Sequence, residues 1–394
     1  MYRAENGRQF KFFCQATSVY TGPAVKYYGQ GTDVDRLGTR LCDIYGLDAA
    51  VMQPLIMWLG RCYQEGILGD EAAGLPLSRM GSAEFIEALV QKLARREGFG
   101  DVLAAGTLKA AAYLGRGAEK LIGSSIANRN GETRDHDPRL MLTNALLMAM
   151  EPRRSVYLLH AMALPLTRWL NWLKGLEGSF LTTEVLRGIA ERLWGSPDAL
   201  DFTSYAGKAL ASKKVQDYAF TKESLILCDF AWPIYQVHSL DNIIGPYTLE
   251  SRLVSAITGR EIDEAELEKT GERIFNLQRA ILARQGWGGR GGDVIMDFHH
   301  REPLQAVFFD VDCIVPGKDG ALASRQGMVV EKAAFEQLKD EYYARRGWDV
   351  ASGLQTEKKL EELGLGDMVG DLRGRGLLKP GPQVQLEETT GRIN

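Results

Sequence analysis

Apolar residues recur at spacings of three and four along most of this 394-residue chain, and period-two alternation is rare. That pattern commits the backbone to amphipathic helices rather than to a sheet. Over residues 34–45, Leu37, Leu41 and Ile44 fall on one helix face, and Gly46 follows as a C-terminal stop. A second helix is expected over 48–65, with Pro54 in its first two turns and Gly66 beyond its end. Ser82 is placed to cap a helix over 83–97, which Gly98 ends. The Ala-rich stretch 102–114 reads as helix with a break near Gly106.

The polar, turn-rich residues 128–139 are expected to join two helical domains, 1–130 and 131–394. Further helices are expected at 139–150, 155–173, 182–193 and 203–222, then at 263–284 with Ile274, Leu277 and Ile281 on one face, and finally at 331–347 and 356–363. Residues 286–292 hold five glycines and read as a mobile loop. With no strand before it and no Walker lysine, a phosphate-cradle reading is set aside for a plain connection. Residues 380–394 read as a frayed tail. The fold class is therefore mainly α, with two helical domains.

Composition narrows the partners. The 47 basic and 51 acidic residues nearly balance, which points away from nucleic acid and anionic membrane. No run of 18 apolar residues offers a membrane span, and residues 1–8 lack the apolar core of a secretory signal, so a cytoplasmic location is expected. The five cysteines, Cys14, Cys42, Cys62, Cys228 and Cys313, share no repeated spacing and contain no CxxC pair. They build neither a disulfide framework nor a local metal site.

Two short segments match each other. Asp43-Ile44-Tyr45-Gly46-Leu47-Asp48 is echoed by Glu223-Ser224-Leu225-Ile226-Leu227-Cys228. Each runs acid, two residues, one residue, a leucine, then Asp or Cys. A carboxylate in this position can accept an amino group and a ring N–H together, which fixes a flat heterocycle. The glycine three residues on lets backbone approach the ring or take positive φ.

These segments resemble the acid-x-x-Gly-Leu-Asp and acid-x-x-Gly-Leu-Cys signatures of the tungsten- and molybdenum-dependent aldehyde:ferredoxin oxidoreductases. The surroundings match as well: Ala94-Arg95-Arg96-Glu97-Gly98-Phe99-Gly100-Asp101, Asp137-Pro138-Arg139, Val215-Gln216-Asp217 before Cys228, Thr258-Gly259, and Gly271 to Leu277. The resemblance covers residues 22–378 and implies the family's two C-terminal helical domains, its domains 2 and 3, without its N-terminal β domain. It implies a tungsten or molybdenum bis-pterin contacted by Asp43, Gly46, Leu47 and Asp48 on one side and by Glu223 and Leu227 on the other, with Cys228 ligating a [4Fe–4S] cluster. It also implies oxidation of aldehydes to carboxylic acids, with a ferredoxin-like carrier as acceptor. The other three cluster cysteines, which the family takes from a CxxCxxxC run, are expected from an N-terminal domain or a partner chain.

The pattern departs from the family in two respects. Glu223 replaces Asp, and Ile226 replaces a glycine, although a β-branched residue does not readily take positive φ. The family's acidic segment before the first signature has no counterpart, since residues 9–32 hold no carboxylate. Tyr157 stands at or near the place where the family has a histidine in its second helical domain, and His160 follows on the same helix face; both are candidates to donate a proton or hydrogen bond. The bland reading of His160 is a core histidine bonded to a carbonyl. His299 and His300 read as exposed loop residues, as do His136 and His238, and the cysteines other than Cys228 read as structural. The missing acid favours a second reading, a catalytic subunit of an aryl-CoA-reductase-like complex acting on an acyl-CoA. A third reading, of another class, is a cofactor-free helical remnant or interaction module. An exposed apolar face is expected where the β domain docks.

Overall fold

A computed structural model describes residues 2–3, 7–10, 18–122, 136–151, 156–228, 232, 247–307 and 309–381. The chain divides into two compact units, residues 1–135 and 136–394. Both are mainly helical, as the periodicity requires.

Among the described residues of the first unit, a short antiparallel pair, β1 (Tyr2–Arg3) and β2 (Gln9–Phe10), precedes seven α-helices. They are α1 (Thr21–Tyr28), α2 (Asp33–Tyr45), α3 (Ala49–Gln64), α4 (Asp70–Ala73), α5 (Ala83–Arg95), α6 (Phe99–Ala104) and α7 (Thr107–Leu114). Polar residues start the long helices: Asp48 accepts from the Ala50 N–H at 2.9 Å, and Ser82 from the Phe85 N–H at 3.1 Å. Gly106, at φ 99°, separates α6 from α7 where the break is expected. The core gathers Trp58, Leu59, Phe85, Ile86 and Leu89. Two of its aromatic side chains find partners for their polar atoms. The Trp58 indole donates to Ala118 O at 3.0 Å, and the buried Tyr20 hydroxyl donates to Ser82 O at 2.9 Å and accepts from the Gly81 N–H at 2.8 Å.

The second unit is built around α11 (Lys208–Ser224), which is buried on every side. Against it pack α8 (Leu142–Met150), α9 (Val156–Leu173), α13 (Glu264–Arg284) and α15 (Lys332–Arg346), and the unit also holds α10 (Thr183–Arg192), α12 (Thr248–Thr258), α14 (Phe298–Arg301), α16 (Glu357–Glu362) and α17 (Val369–Gly374). One antiparallel hairpin, β3 (Ile314–Pro316) with β4 (Leu322–Ser324), pairs Ile314 with Ser324 and Pro316 with Leu322. Gly271 brings α13 against α11: a Cβ there would lie 2.0 Å from Asp217 O. The buried charges of α11 are paired. Asp217 accepts from Arg346 at 2.5 Å and Lys213 at 2.8 Å, and the Lys208 ammonium sits among four backbone carbonyls within 3.3 Å, Asp201 O nearest at 2.7 Å.

Three expectations fail here. The Leu277–Ile281 stripe of α13 faces outward, 39% and 45% exposed, while Leu267, Gly271, Phe275, Asn276, Arg279, Ala280 and Ala283 form its buried side. Polar partners explain the reversal: Arg279 makes a bidentate pair with Asp293 at 2.7 and 2.6 Å, and Asn276 accepts from the Trp348 indole at 2.9 Å. The glycine-rich residues 286–292 are packed rather than loose. The Arg290 N–H donates to Ser352 O at 2.7 Å, its guanidinium pairs with Glu336 and Asp340, and a Cβ on Gly289 would lie 2.3 Å from Ser352 O. Finally, α11 begins at Lys208, later than expected, because residues 201–207 form tight turns capped by Asp201 and Ser204 side chains. Most of the expected tail and most of the expected domain join lie outside the described residues. Among the described residues no helix is long and apolar enough to cross a membrane.

Candidate functional site

The two matched segments fold into the same kind of helix ending, one in each unit. In the first, α2 stops at Tyr45, Gly46 takes φ 66°, and the Leu47 N–H reaches back to Cys42 O at 2.9 Å. In the second, α11 stops at Ser224, Ile226 takes φ 57°, and the Leu227 N–H reaches back to Lys222 O at 2.9 Å. Both closures are six-residue turns of the Schellman type, and the acid, Asp43 or Glu223, follows the accepting residue directly. The expectation that Ile226 resists positive φ is therefore corrected. Its side chain is 92% exposed and meets no obstruction, and the fold supplies the roughly 1–2 kcal/mol that a left-handed L-residue costs.

The first turn is open to solvent. Asp43, Gly46 and Asp48 are exposed, Leu47 is half-buried, and nothing lies within 4 Å of where a Cβ on Gly46 would stand. Asp48 also caps α3, a structural duty that accounts for part of its chemistry. Burial first, then the Asp43 and Asp48 carboxylates, pushes the Cys42 thiol up to about 11. The bare backbone at Gly46, flanked by two carboxylates, fits a flat, N–H-bearing ligand.

The second turn presents a thiol. Cys228 is exposed, so it is not the small core residue its apolar approach suggests. Glu223 and Leu227 are half-buried beside it. Below the turn Lys222 is buried, its Nζ 5.0 Å above the Tyr218 ring; burial lowers its ammonium to about 8 against the pull of Glu250, Cys228 and Glu223. The Trp232 N–H donates to Cys228 O at 2.7 Å.

The remaining candidates lie deeper in the second unit. His160 is buried on α9, its ring 5.1 Å from that of His136. His136 is buried too, at φ 71°, which corrects its reading as a surface residue. His299 is likewise fully buried, 4.0 Å from the Phe298 ring and with Nδ1 3.8 Å from Asp137 Oδ1. Asp137 is held below the usual carboxylate range against its burial by Arg139 and His299. His300 alone of this group is half-exposed, its Nδ1 2.7 Å from Val330 O. The side chain of Tyr157, and all of Cys14 and His238, fall outside the described residues. Cys42, Cys62 and Cys313 are buried and free, as structural residues. Among the described residues no three His, Cys, Asp or Glu side chains group as a metal site.

Comparison with known proteins decides the family. The family model for aldehyde ferredoxin oxidoreductase, domains 2 and 3, matches residues 35–365, spanning both turns. The chain belongs to the aldehyde ferredoxin oxidoreductase family. It is similar to the tungsten-containing aldehyde ferredoxin oxidoreductases of Pyrococcus furiosus, 24% identical over 330 residues, and of Pyrococcus abyssi, 24% identical over 331 residues. Each alignment covers 83% of this chain but 44% of the relative, so this family member spans less than half their length. Among solved structures, the active-site complex BamBC of benzoyl coenzyme A reductase with 1,5-dienoyl-CoA shares the fold at a TM-score of 0.56 and 21% identity. That likeness covers 94% of this chain and 51% of the other.

Proposed function

We propose that this chain is the helical, C-terminal part of a tungsten or molybdenum bis-pterin, iron–sulfur oxidoreductase that converts aldehydes to carboxylic acids with a ferredoxin-like acceptor. The observation that carries this reading is the shared backbone turn of the two signatures, which the Ile226 substitution leaves intact. In this reading Asp43 accepts the amino and ring N–H groups of one pterin while Gly46 and Leu47 offer it bare backbone and Asp48 a second acceptor. Glu223 and Leu227 serve the other pterin, and the Cys228 thiolate is one ligand of a [4Fe–4S] cluster. When bound, the pterin-held metal supplies two-electron oxo chemistry and the cluster passes the electrons on singly. The other three cluster cysteines and the facing wall of the pterin site come from polypeptide beyond these 394 residues, a β domain or a partner chain. His160, buried and paired with His136, holds a proton for the substrate oxygen, with Tyr157 one turn before it as a second donor.

One observation favours a second reading. Residues 9–32 carry no carboxylate, so this stretch supplies no acid–base glutamate. A catalytic subunit of an aryl-CoA-reductase-like complex, acting on an acyl-CoA, fits that absence. Steady-state assays on enzyme purified anaerobically from its native host separate the two. Aldehyde oxidation coupled to ferredoxin or viologen reduction supports the first, turnover of an aryl-CoA thioester alone supports the second, and inactivity of a metal-free protein towards both refutes both.

A further inference from the structure

Glu250 lies in the first turn of α12 and is fully buried, and neither signature includes it. Its Oε1 accepts two hydrogen bonds, from the Tyr218 hydroxyl at 2.5 Å and from the Trp232 indole at 2.9 Å. Two donors on one oxygen fix the carboxylate in orientation. Its Oε2 is buried and has no hydrogen-bond partner among the described residues. Native proteins rarely leave such an oxygen bare, because the lost hydration is not returned.

The carboxylate is tied to the second turn by one residue. Trp232, whose indole holds Glu250 Oε1, donates its backbone N–H to Cys228 O at 2.7 Å. On α11, the helix that ends at this turn, the Lys222 ammonium lies 5.0 Å from the ring of Tyr218, the same residue whose hydroxyl holds Glu250. We propose that Glu250 is a further cofactor-holding residue of this half-site, its Oε2 accepting a hydrogen bond from an N–H of the flat heterocycle bound at the Cys228 turn. The inference rests on the pterin reading of that turn and adds to it an acceptor that the signature does not contain. A metal cation at Oε2 does not fit: hard cations gather six or more oxygens, and here the neighbouring charge is the Lys222 ammonium. A neutral N–H donor removes the buried vacancy without adding charge. It also relieves Glu223, whose longer side chain and β-branched turn depart from the family pattern, of the whole task of orienting the ring.

The test is Glu250→Gln in the complete protein with its companion domain or chain, purified anaerobically. Glutamine keeps a carbonyl oxygen for Tyr218 and Trp232 but sets an NH2 donor where Oε2 stood. Pterin retained per chain after dilution, read by fluorescence after release and oxidation, is expected to fall at least about tenfold, with the circular dichroism unchanged. Glu250→Asp, which keeps the charge and withdraws the oxygen, is expected to fall between the two, and serves if the glutamine variant does not fold. Wild-type retention of pterin by either folded variant overturns the inference and leaves Glu250 as a buried counter-charge to Lys222. Wild-type protein that carries no pterin refutes the half-site reading itself.

Discussion

Replacing Gly271 by alanine tests how closely α13 is seated on α11, the helix that ends in the second signature. The added Cβ would stand 2.0 Å from Asp217 O and 2.6 Å from Thr221 Oγ1, whereas ordinary contact begins near 3.4 Å. The first obstacle is backbone, so no rotamer change relieves it, and α13 must retreat by more than an ångström. Retreat would also stretch the bond from Thr221 Oγ1 to Leu267 O, now 3.1 Å. Overpacking of this kind costs about 1–3 kcal/mol, and a backbone clash belongs at the upper end. Alanine recovers roughly 0.5–1 kcal/mol by its better helix propensity. The net expectation is a loss of about 2 kcal/mol. Urea unfolding followed by Trp348 fluorescence reports this region, since Trp348 stacks on Phe275 and donates to Asn276 of α13. The midpoint should fall with an unchanged slope. A variant as stable as wild type, or more stable, would show that the two helices do not meet as described.

Arg346→Met leaves Asp217 fully buried with Lys213 as its remaining ionic partner, and should cost about 3 kcal/mol in the same assay. Cys42 gives a pH dependence. Its thiol moves from the ordinary 9 to about 11 in the fold, so its contribution is whole below pH 9 and is lost as pH rises through 11. Across that window wild type should lose roughly 3 kcal/mol more unfolding free energy than Cys42→Ala, and equal slopes would contradict the burial of this thiol. Iodoacetamide on the folded, cofactor-free chain at pH 8, mapped by peptide mass, should label Cys228 well before Cys42, Cys62 or Cys313. Equal labelling would mean that the Cys228 turn is closed.

Much of the fold was legible because its local signals agree with its packing. Gly46 ends α2, Ser82 caps α5 and Gly106 divides α6 from α7, each at a position where one residue type has a clear backbone preference. The failures share another origin. Leu277 and Ile281 form an apolar stripe, yet α13 buries Asn276 and Arg279 instead, because distant partners such as Asp293 and Trp348 satisfy them. No periodicity announces a partner 14 or 72 residues away. Residues 286–292 read as loose because glycine is permissive, but Gly289 is needed for close approach to Ser352. His136 and His299 sit in polar or turn-rich sequence and are buried by contacts that only the tertiary structure supplies. At the candidate site the signature residues were legible from their pattern. Glu250 was not, since its link to Cys228 runs through Tyr218 and Trp232 and leaves no spacing to read.

The central claim is that these helices hold a pterin-bound metal and contribute one ligand to an iron–sulfur cluster. Tungsten, molybdenum and iron should be measured in the protein purified anaerobically from its native host, together with the masses of the polypeptide and its companions. The account predicts about one tungsten or molybdenum and about four irons per particle, with a β-rich domain or chain present alongside. Metal-free protein of this length, with no companion, would contradict it and leave a helical remnant.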